Sequence, residues 1–551
     1  MGLIRRETWD VIVDLSTIGL IWPEAILVLL SAWIYLGGTF KTSRRFWTLL
    51  AIATYFTAGW VLLREESVLW RDLQQGLLAV NGPLIVDYLG QANRLFSLAV
   101  GLLLTLVASR AGTRQLSAER LGTVMMLTAG LMLVGRANDL VFLYVSLELV
   151  SIPTYVLLFL GRKDRATEEA ATKYFLLSIL ASALLLFGLT FYYGVAGGTT
   201  TIVGTPAVDG IRESLSTLSA KEPATLSWYV WGLVLVLAGL GFKIAAVPFH
   251  FYAPDVYQGT TNVNAGLLAI APKIAGMLAL VRLLFVTLPA DFSAGWRLTM
   301  ALAMMTMTLG NVCALWQTNL RRLLAYSSIA HAGYMLVGLS VALAAAPCGG
   351  VAGLLFYLAV YVLAALGVFA GLAYLSHERR ELSNVSEIAG MGWSRPWVAG
   401  AITICVFSLA GIPPLAGFWG KLTLFTGAIR VAMNHDGAVS IWFLVLAIVG
   451  VLNAAVAAAY YLRIVGTMYF GGRDHEPLAE TGGPGALAGM TVCALLVLVI
   501  GLMPGPVLRS TEMSERAILN TPSIRAAPLG SRGDGSRGVA EGHQVSRMGA
   551  D

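Results

Sequence analysis

Apolar residues in this chain come in blocks of about 20, the length that crosses a bilayer core as a helix. Short polar stretches separate the blocks and hold much of the charge. About fourteen spans can be marked: 16–38, 46–63, 92–109, 119–136, 139–160, 168–195, 228–250, 261–286, 297–316, 321–342, 350–375, 396–430, 438–470 and 484–508. The twelfth and thirteenth exceed a straight crossing, which predicts tilt, a bend or a break. The short alternating segments of a membrane barrel are missing, and no stretch reads as a convincing strand. The expected class is an all-α, multi-pass membrane protein. The stretch 196–227 reads as a polar external loop with partial order. From 509 to 551 the pattern gives way to Gly, Ser, Arg and Ala, and that tail is expected to be disordered.

Two blocks are interrupted alike. Leu237-Ala238-Gly239 leads to Gly241-Phe242-Lys243 and then Pro248, while Leu409-Ala410-Gly411 leads through Ile412-Pro413-Pro414 to Gly417-Phe418 and Lys421. Interrupted helices at corresponding places in two halves point to a central transport site. Backbone freed at membrane depth is tolerated where protein or water satisfies it. Spans 4–8 and 9–13 are then the halves. Five spans is an odd number, so equivalent helices run in opposite directions and the repeat is inverted. The expected organisation is three N-terminal helices (1–118), a first five-helix repeat (119–286), a second, inverted one (297–470), a last span (484–508) and the tail (509–551).

Composition agrees: 57% of residues are hydrophobic and 12% charged, against about a quarter charged in a soluble domain. The net charge of +6 is spread over loops and tail, so membrane lipid is the expected surrounding and nucleic acid is not an expected partner. Loops after odd-numbered spans are richer in Lys and Arg, among them Lys41, Arg44, Arg162, Lys163 and Arg379. That bias predicts those loops on the cytoplasmic side and both termini outside. The first run contains Pro23 and Glu24 with no small-residue cleavage site, and reads as a retained helix. Cys313, Cys348, Cys405 and Cys493 have neither metal-ligand nor cluster spacing, and no Gly-rich nucleotide loop is visible. No cofactor or metal is expected in this chain.

Chemistry concentrates in the few ionisable residues within apolar runs. Such residues are costly and usually face a bundle interior or a water path. Glu148 lies mid-span, with Ser151 and Tyr155 on the same face at i+3 and i+7. It reads either as half of a structural salt bridge or as a titrating carboxylate with Lys243 as counter-charge. A nearby carboxylate changes how firmly a buried lysine holds its proton, so relative movement of the two would load or release one. Lys273 follows Pro272 near the middle of the eighth span, too deep to snorkel, and reads as a relay; Lys421 is comparable. His331 shares a stripe with Ser327 and Tyr334 and reads either as a packed core histidine or as part of a proton wire. His250 is a candidate link to the cytoplasmic side. Lys173, Asn453 and Arg463 are weaker candidates, and the remaining aromatics are assigned to packing and lipid contact.

Five stretches then resemble one family. They are Ala137–Tyr155, Gly241–His250, Pro254–Gly259, Ser327–Tyr334 and Leu409–Lys421, and they are similar to the antiporter-like membrane subunits of respiratory complex I over roughly residues 120–470. Pro254-Asp255-Val256-Tyr257 and a histidine-free Ala269–Met277 favour the N branch over L and M, which usually carry Pro-Asp-Ala-His and histidines in the eighth helix. The resemblance implies fourteen helices, two inverted repeats, and discontinuous seventh and twelfth helices. It implies Glu148 and Lys243 as a coupled pair, Lys273 as central relay, Lys421 at the outlet and His331 in the tenth-helix motif. It also implies that NADH, flavin, iron–sulfur clusters and quinone belong to partner subunits, and that the chain lies in a bacterial inner membrane. Thr260-Thr261-Asn262-Val263-Asn264 departs from a segment that usually bears proline, at the cytoplasmic intake. The expected function is proton translocation driven by electron transfer in partner subunits. A multisubunit sodium/proton antiporter, a solute transporter and a structural spacer are the alternatives.

Overall fold

The computed structural model describes residues 19–519 apart from short stretches at 41–42, 75–78, 112–115, 205–208, 219–222, 289–291, 346–347, 377–380 and 473–481. The expected start of the first span at residue 16 and the tail from 520 onward lie outside the described residues.

Three helices come first: α1 (Trp22–Gly38), α2 (Arg44–Gln74) and α3 (Tyr88–Ala108). Then follow α4 (Ser117–Val134), α5 (Leu140–Phe159) and α6 (Arg165–Val195). The seventh span is split into α7 (Pro223–Ile244) and α8 (Ala253–Gly259). The eighth, α9 (Asn262–Leu280), runs on into a π-helical turn, Val281–Phe285. After α10 (Ser293–Leu315), α11 (Leu320–Ala344) and α12 (Gly350–Tyr374), the twelfth span is split into α13 (Pro396–Ala410) and α14 (Ala416–Asn434). Last come α15 (Ala438–Phe470), α16 (Gly483–Leu502) and α17 (Gly505–Leu519). Among the described residues, twelve helices are long and apolar enough to cross a membrane. The shorter α1 and the split α13–α14 bring the spans to the fourteen expected.

Helix starts coincide with short polar side chains that satisfy first-turn amides. Asp87 accepts from Gly90, Asp139 from Val141 and Phe142, Asp164 from Thr167, Thr261 from Asn264, and Asn319 from Arg322. Each such cap is worth about 1 kcal/mol. Burial sorts the helices into layers: α9, α11 and α12 are almost wholly enclosed, and α6 and α15 face outward along one side. Phe56, Leu180 and Leu452 point out of the bundle, which lipid tails accommodate as readily as a protein core does.

Both interrupted spans break at a left-handed residue, Ala245 (φ 57°) after α7 and Gly411 (φ 88°) after α13. The second break needs glycine twice. A Cβ on Gly417 would lie 1.7 Å from the Ser408 carbonyl oxygen, and the Gly417 amide is bound by the Ser408 hydroxyl at 3.0 Å.

Two expectations need correction, the absence of strands and the start of the tail. A short antiparallel hairpin, Ala79–Asn81 with Leu84–Val86, turns through Gly82-Pro83 with Gly82 at φ 56°; glycine at the first loop position is a hairpin signal even in so short a segment. The partial order expected in the 196–227 loop takes the form of a helix, Ile211–Leu218. The expected disordered tail begins too early, because residues 509–519 complete α17. That helix is docked by Glu515, whose carboxylate accepts from the Val351 and Ala352 amides at 3.3 and 3.2 Å and so caps α12 from outside it.

Candidate functional site

At membrane depth α5 and α7 bring together the residues expected to pair. Lys243 Nζ lies 3.3 Å from Glu148 Oε1 and donates to Ser151 Oγ at 2.6 Å, while Ser182 on α6 donates to the same Glu148 oxygen at 2.6 Å. Lys243 is sealed at 5% exposure, whereas Glu148 keeps 22% on the outer side of the bundle. Neighbouring Val145 and Ile152 on α5 are exposed at 57% and 48%. The pair therefore opens sideways onto an apolar face, while its cationic end points inward. Tyr155, the third residue of the expected stripe, packs edge-on against Phe175.

Across from Lys243 the α9 backbone comes close because Gly276 offers no side chain there: a Cβ would sit 3.6 Å from Lys243 Cβ. Lys273 is one turn earlier on that helix and 1% exposed. Its ammonium donates to Ser328 Oγ at 2.5 Å, and Ser328 is also 2.8 Å from the Tyr361 hydroxyl and 3.4 Å from that of Tyr257. Beyond it, His331 is held at both ring nitrogens. Nδ1 is 2.7 Å from Tyr357 Oη and Nε2 is 2.9 Å from Tyr461 Oη. Tyr461 in turn bonds Ser327, the neighbour of Ser328.

The last lysine is bound differently. Lys421 Nζ donates to the carbonyls of Leu409 and Ala410 at 3.1 and 2.6 Å. These are the carbonyls left free where α13 stops, and a helix C-terminus carries about half a unit of negative charge. Its ammonium also lies 5.1 Å from the Tyr334 ring. Lys243 and Lys421 occupy corresponding breaks, yet one faces a carboxylate and the other the end of its own broken helix.

The weaker candidates sort clearly. Asn453 joins Asn311 at 3.1 Å and Thr308 at 3.2 Å, in a cluster with Tyr334 and Tyr460. Arg463 donates to the carbonyls of Leu315 and Gln317. Lys173 is half-exposed, 2.6 Å from Glu169 and 3.8 Å from Asp255. His250 sits partly buried in the α7–α8 turn, with no hydrogen bond to Nδ1 among the described residues.

Assigning the aromatics to packing alone was wrong. Tyr257, Tyr357, Tyr361 and Tyr461 are buried and turn their hydroxyls onto Ser328 or His331. The available signal was spacing: Tyr357 and Tyr361 are four apart on one helix face, as on any i, i+4 pair. The described residues contain no group of His, Cys, Asp or Glu arranged to hold a metal.

A profile of the NADH:quinone oxidoreductase/Mrp antiporter transmembrane family matches residues 137–452. NADH-quinone oxidoreductase subunit N of Sphingopyxis alaskensis is 35% identical over 92% of this chain and 99% of its own length. NADH-quinone oxidoreductase subunit N 2 of Roseiflexus castenholzii is 38% identical over 72% of this chain and 76% of its own. Among solved structures, a chain of respiratory complex I from Thermus thermophilus superposes with a TM-score of 0.70 at 31% identity, covering 88% of this chain and 98% of that one. A chain of an Mrp complex from a Dietzia species has the same fold, with a TM-score of 0.74 at 20% identity, covering 91% and 98%.

Proposed function

The chain belongs to the NADH:quinone oxidoreductase/Mrp antiporter family, and from that premise we propose that it is the proton-translocating membrane subunit N of an NADH:quinone oxidoreductase. The observation that carries this reading is the series of proton-exchanging groups inside the bundle, Glu148–Lys243, Lys273, His331 and Lys421, with Ser151 on Lys243, Ser328 on Lys273 and tyrosine hydroxyls on both nitrogens of His331. Partner subunits carry NADH, flavin, iron–sulfur clusters and quinone; this chain supplies the proton path. It lies in a bacterial inner membrane with loops after odd-numbered spans on the cytoplasmic side and both termini outside. The apolar face around Glu148 is where a neighbouring membrane subunit is expected.

Each group has a task set by its surroundings. Glu148 and Lys243 exchange charge at the lateral edge: bringing the carboxylate close favours the ammonium, and drawing it away favours release. Lys273 passes a proton through Ser328. His331, bound by a hydroxyl at each nitrogen, accepts at one nitrogen and donates from the other without holding net charge. Lys421 receives the proton where the α13 carbonyls stabilise an ammonium. Moving one charge against 100 mV costs about 2.3 kcal/mol, so charge states must change in order.

The test is Lys243→Ala in the intact complex, in inverted membrane vesicles, with NADH oxidation and proton uptake followed together. Loss of NADH-driven proton transport supports the reading; unaltered proton transport per NADH overturns it. The Mrp-like alternative predicts cation–proton exchange in vesicles lacking any electron donor.

A further inference from the structure

The Thr260–Asn264 stretch, where α8 hands over to α9, is the hub of a buried polar cluster outside the series above. Glu381, from the connector between α12 and α13, reaches it with 11% of its side chain exposed. Its Oε2 accepts from Arg321 Nη1 at 2.6 Å and from the Asn262 amide at 2.9 Å. The same Arg321 nitrogen donates to the Thr260 carbonyl at 2.8 Å. Arg321 opens α11 in the second half and Thr260 closes α8 in the first, so one carboxylate joins both halves at the odd-loop end.

A mere bolt would satisfy its neighbours, since buried polar groups nearly always find partners. Here Thr260 Oγ1, Asn262 Oδ1 and Arg321 Nε are buried without a partner among the described residues, as are Nε and Nη1 of nearby Arg120. Each such atom costs about 1–3 kcal/mol, so the closed arrangement gains by admitting water. Water admitted there would meet Glu381 beside Arg321 and Asn262, and Thr260 lies one turn after Tyr257, whose hydroxyl meets the Ser328 that binds Lys273.

We propose that Glu381 is the proton-loading carboxylate on the cytoplasmic side for Lys273, positioned by Arg321 and the Asn262 amide, and separate from the Glu148–Lys243 pair. This rests on the proton-translocation reading above. A proton from cytoplasmic water joins the Glu381 carboxylate and weakens its hold on Arg321. It then leaves through admitted water and the Tyr257 and Ser328 hydroxyls to the uncharged Lys273 amine, which becomes an ammonium as Glu381 returns to carboxylate. The charged groups facing Glu381 are Arg321 from α11, Arg162 and Asp164 from the turn before α6, and Arg120 from α4. Burial pushes the Glu381 carboxyl above the usual glutamate range against the pull of Arg321 and Arg162, which suits a group that must take up a proton from near-neutral water.

The experiment compares Glu381→Gln, Glu381→Asp and Lys421→Ala in the intact complex in inverted vesicles, reading proton uptake and NADH oxidation. NADH oxidation by a water-soluble acceptor reports assembly. Glu381→Gln is expected to slow coupled turnover by about 10²-fold, the lower end of what a positioned acid–base group contributes. Added formate, a small diffusible acid, should restore part of the rate, and Glu381→Asp should keep most of it. Wild-type pumping by Glu381→Gln overturns the proposal, as does a loss that formate does not relieve and Asp shares. If Lys421→Ala also pumps normally, the subunit's function has been misread; if Lys421→Ala fails while Glu381→Gln pumps, the Glu381 role alone falls. Should Glu381→Gln not assemble, Asn262→Cys with Glu381 intact decides. Labelling by an impermeant thiol reagent from the cytoplasmic side during turnover is expected, and protection overturns the proposal.

Discussion

At the scale of single residues, the two lysines in the broken helices show why similar sequence contexts need not mean similar chemistry. Lys243 answers to a partly exposed carboxylate, Lys421 to two carbonyls fixed at a helix end. Arginine keeps the charge and the carbonyl bonds but does not give up a proton in a protein. Lys421→Arg is therefore expected to assemble and to hold its thermal stability while NADH-driven proton uptake fails; normal uptake would show that Lys421 is only a cap for α13. The tyrosines on His331 allow a similar separation. Tyr461→Phe removes the hydrogen bonds to His331 and Ser327, each worth about 1 kcal/mol of stability, and a packing residue would show no more than that. A relay predicts coupled turnover falling by about 10²-fold with little change in melting. The charged stations were legible because an ion in an apolar run stands out at once. The hydroxyls were not, since a tyrosine in such a run looks like any large apolar side chain until its neighbours are known.

At the scale of elements, the breaks and the added helix obey local backbone rules. Gly417→Ala forces a methyl to within 1.7 Å of the Ser408 carbonyl oxygen, so α13 and α14 must part. The expected cost is about 1–3 kcal/mol, read as a lower melting temperature of the purified complex; an unchanged value would mean the break has slack. Both breaks were legible, because Gly and Pro in a transmembrane run leave few other structures. α17 was not: it is short and amphipathic, and what holds it is a carboxylate meeting the start of a helix about 160 residues away. Burial lifts the Glu515 carboxyl above its usual range, although the Ala352 and Val351 amides pull the other way. The folded state thus holds this proton more tightly than the unfolded chain, so its contribution is full below the ordinary glutamate range, about pH 4.3. It is lost as the pH rises through the raised value. Glu515→Gln, which keeps an accepting oxygen, should match the wild type in melting near pH 4 and exceed it at pH 7–8. Parallel curves across that range would rule the linkage out.

At the scale of the molecule, the inverted halves could be read from two matching interruptions, but not what fastens the N-terminal helices to them. Buried ion pairs whose members are far apart in sequence do that work, one within the N-terminal group and one reaching from it to the first half. Glu24 and Arg94 meet at 2.7 Å between α1 and α3. Asp87, which also caps α3, takes both ends of the Arg282 guanidinium at 2.5 and 2.6 Å, and Arg282 donates further to the Gly135 carbonyl at the end of α4. Arg282 lies in the π-turn that continues α9, the helix of Lys273, so one side chain ties α3 and α4 to the helix of the central relay. Sequence offers no sign of this, because arginine near a span end looks like an interfacial residue. Arg282→Leu leaves Asp87 charged and unpaired at 1% exposure, a loss of about 3–5 kcal/mol, and assembled complex should fall sharply. Replacing both partners, Asp87→Leu with Arg282→Leu, removes the stranded charge, and about 1 kcal/mol remains for the lost α3 cap. Assembly of the double variant should therefore recover well above the single one, with proton uptake following it. A double variant no better than Arg282→Leu would mean that the guanidinium's hold on the Gly135 carbonyl inside the first half, not its neutralisation of Asp87, is what assembly needs.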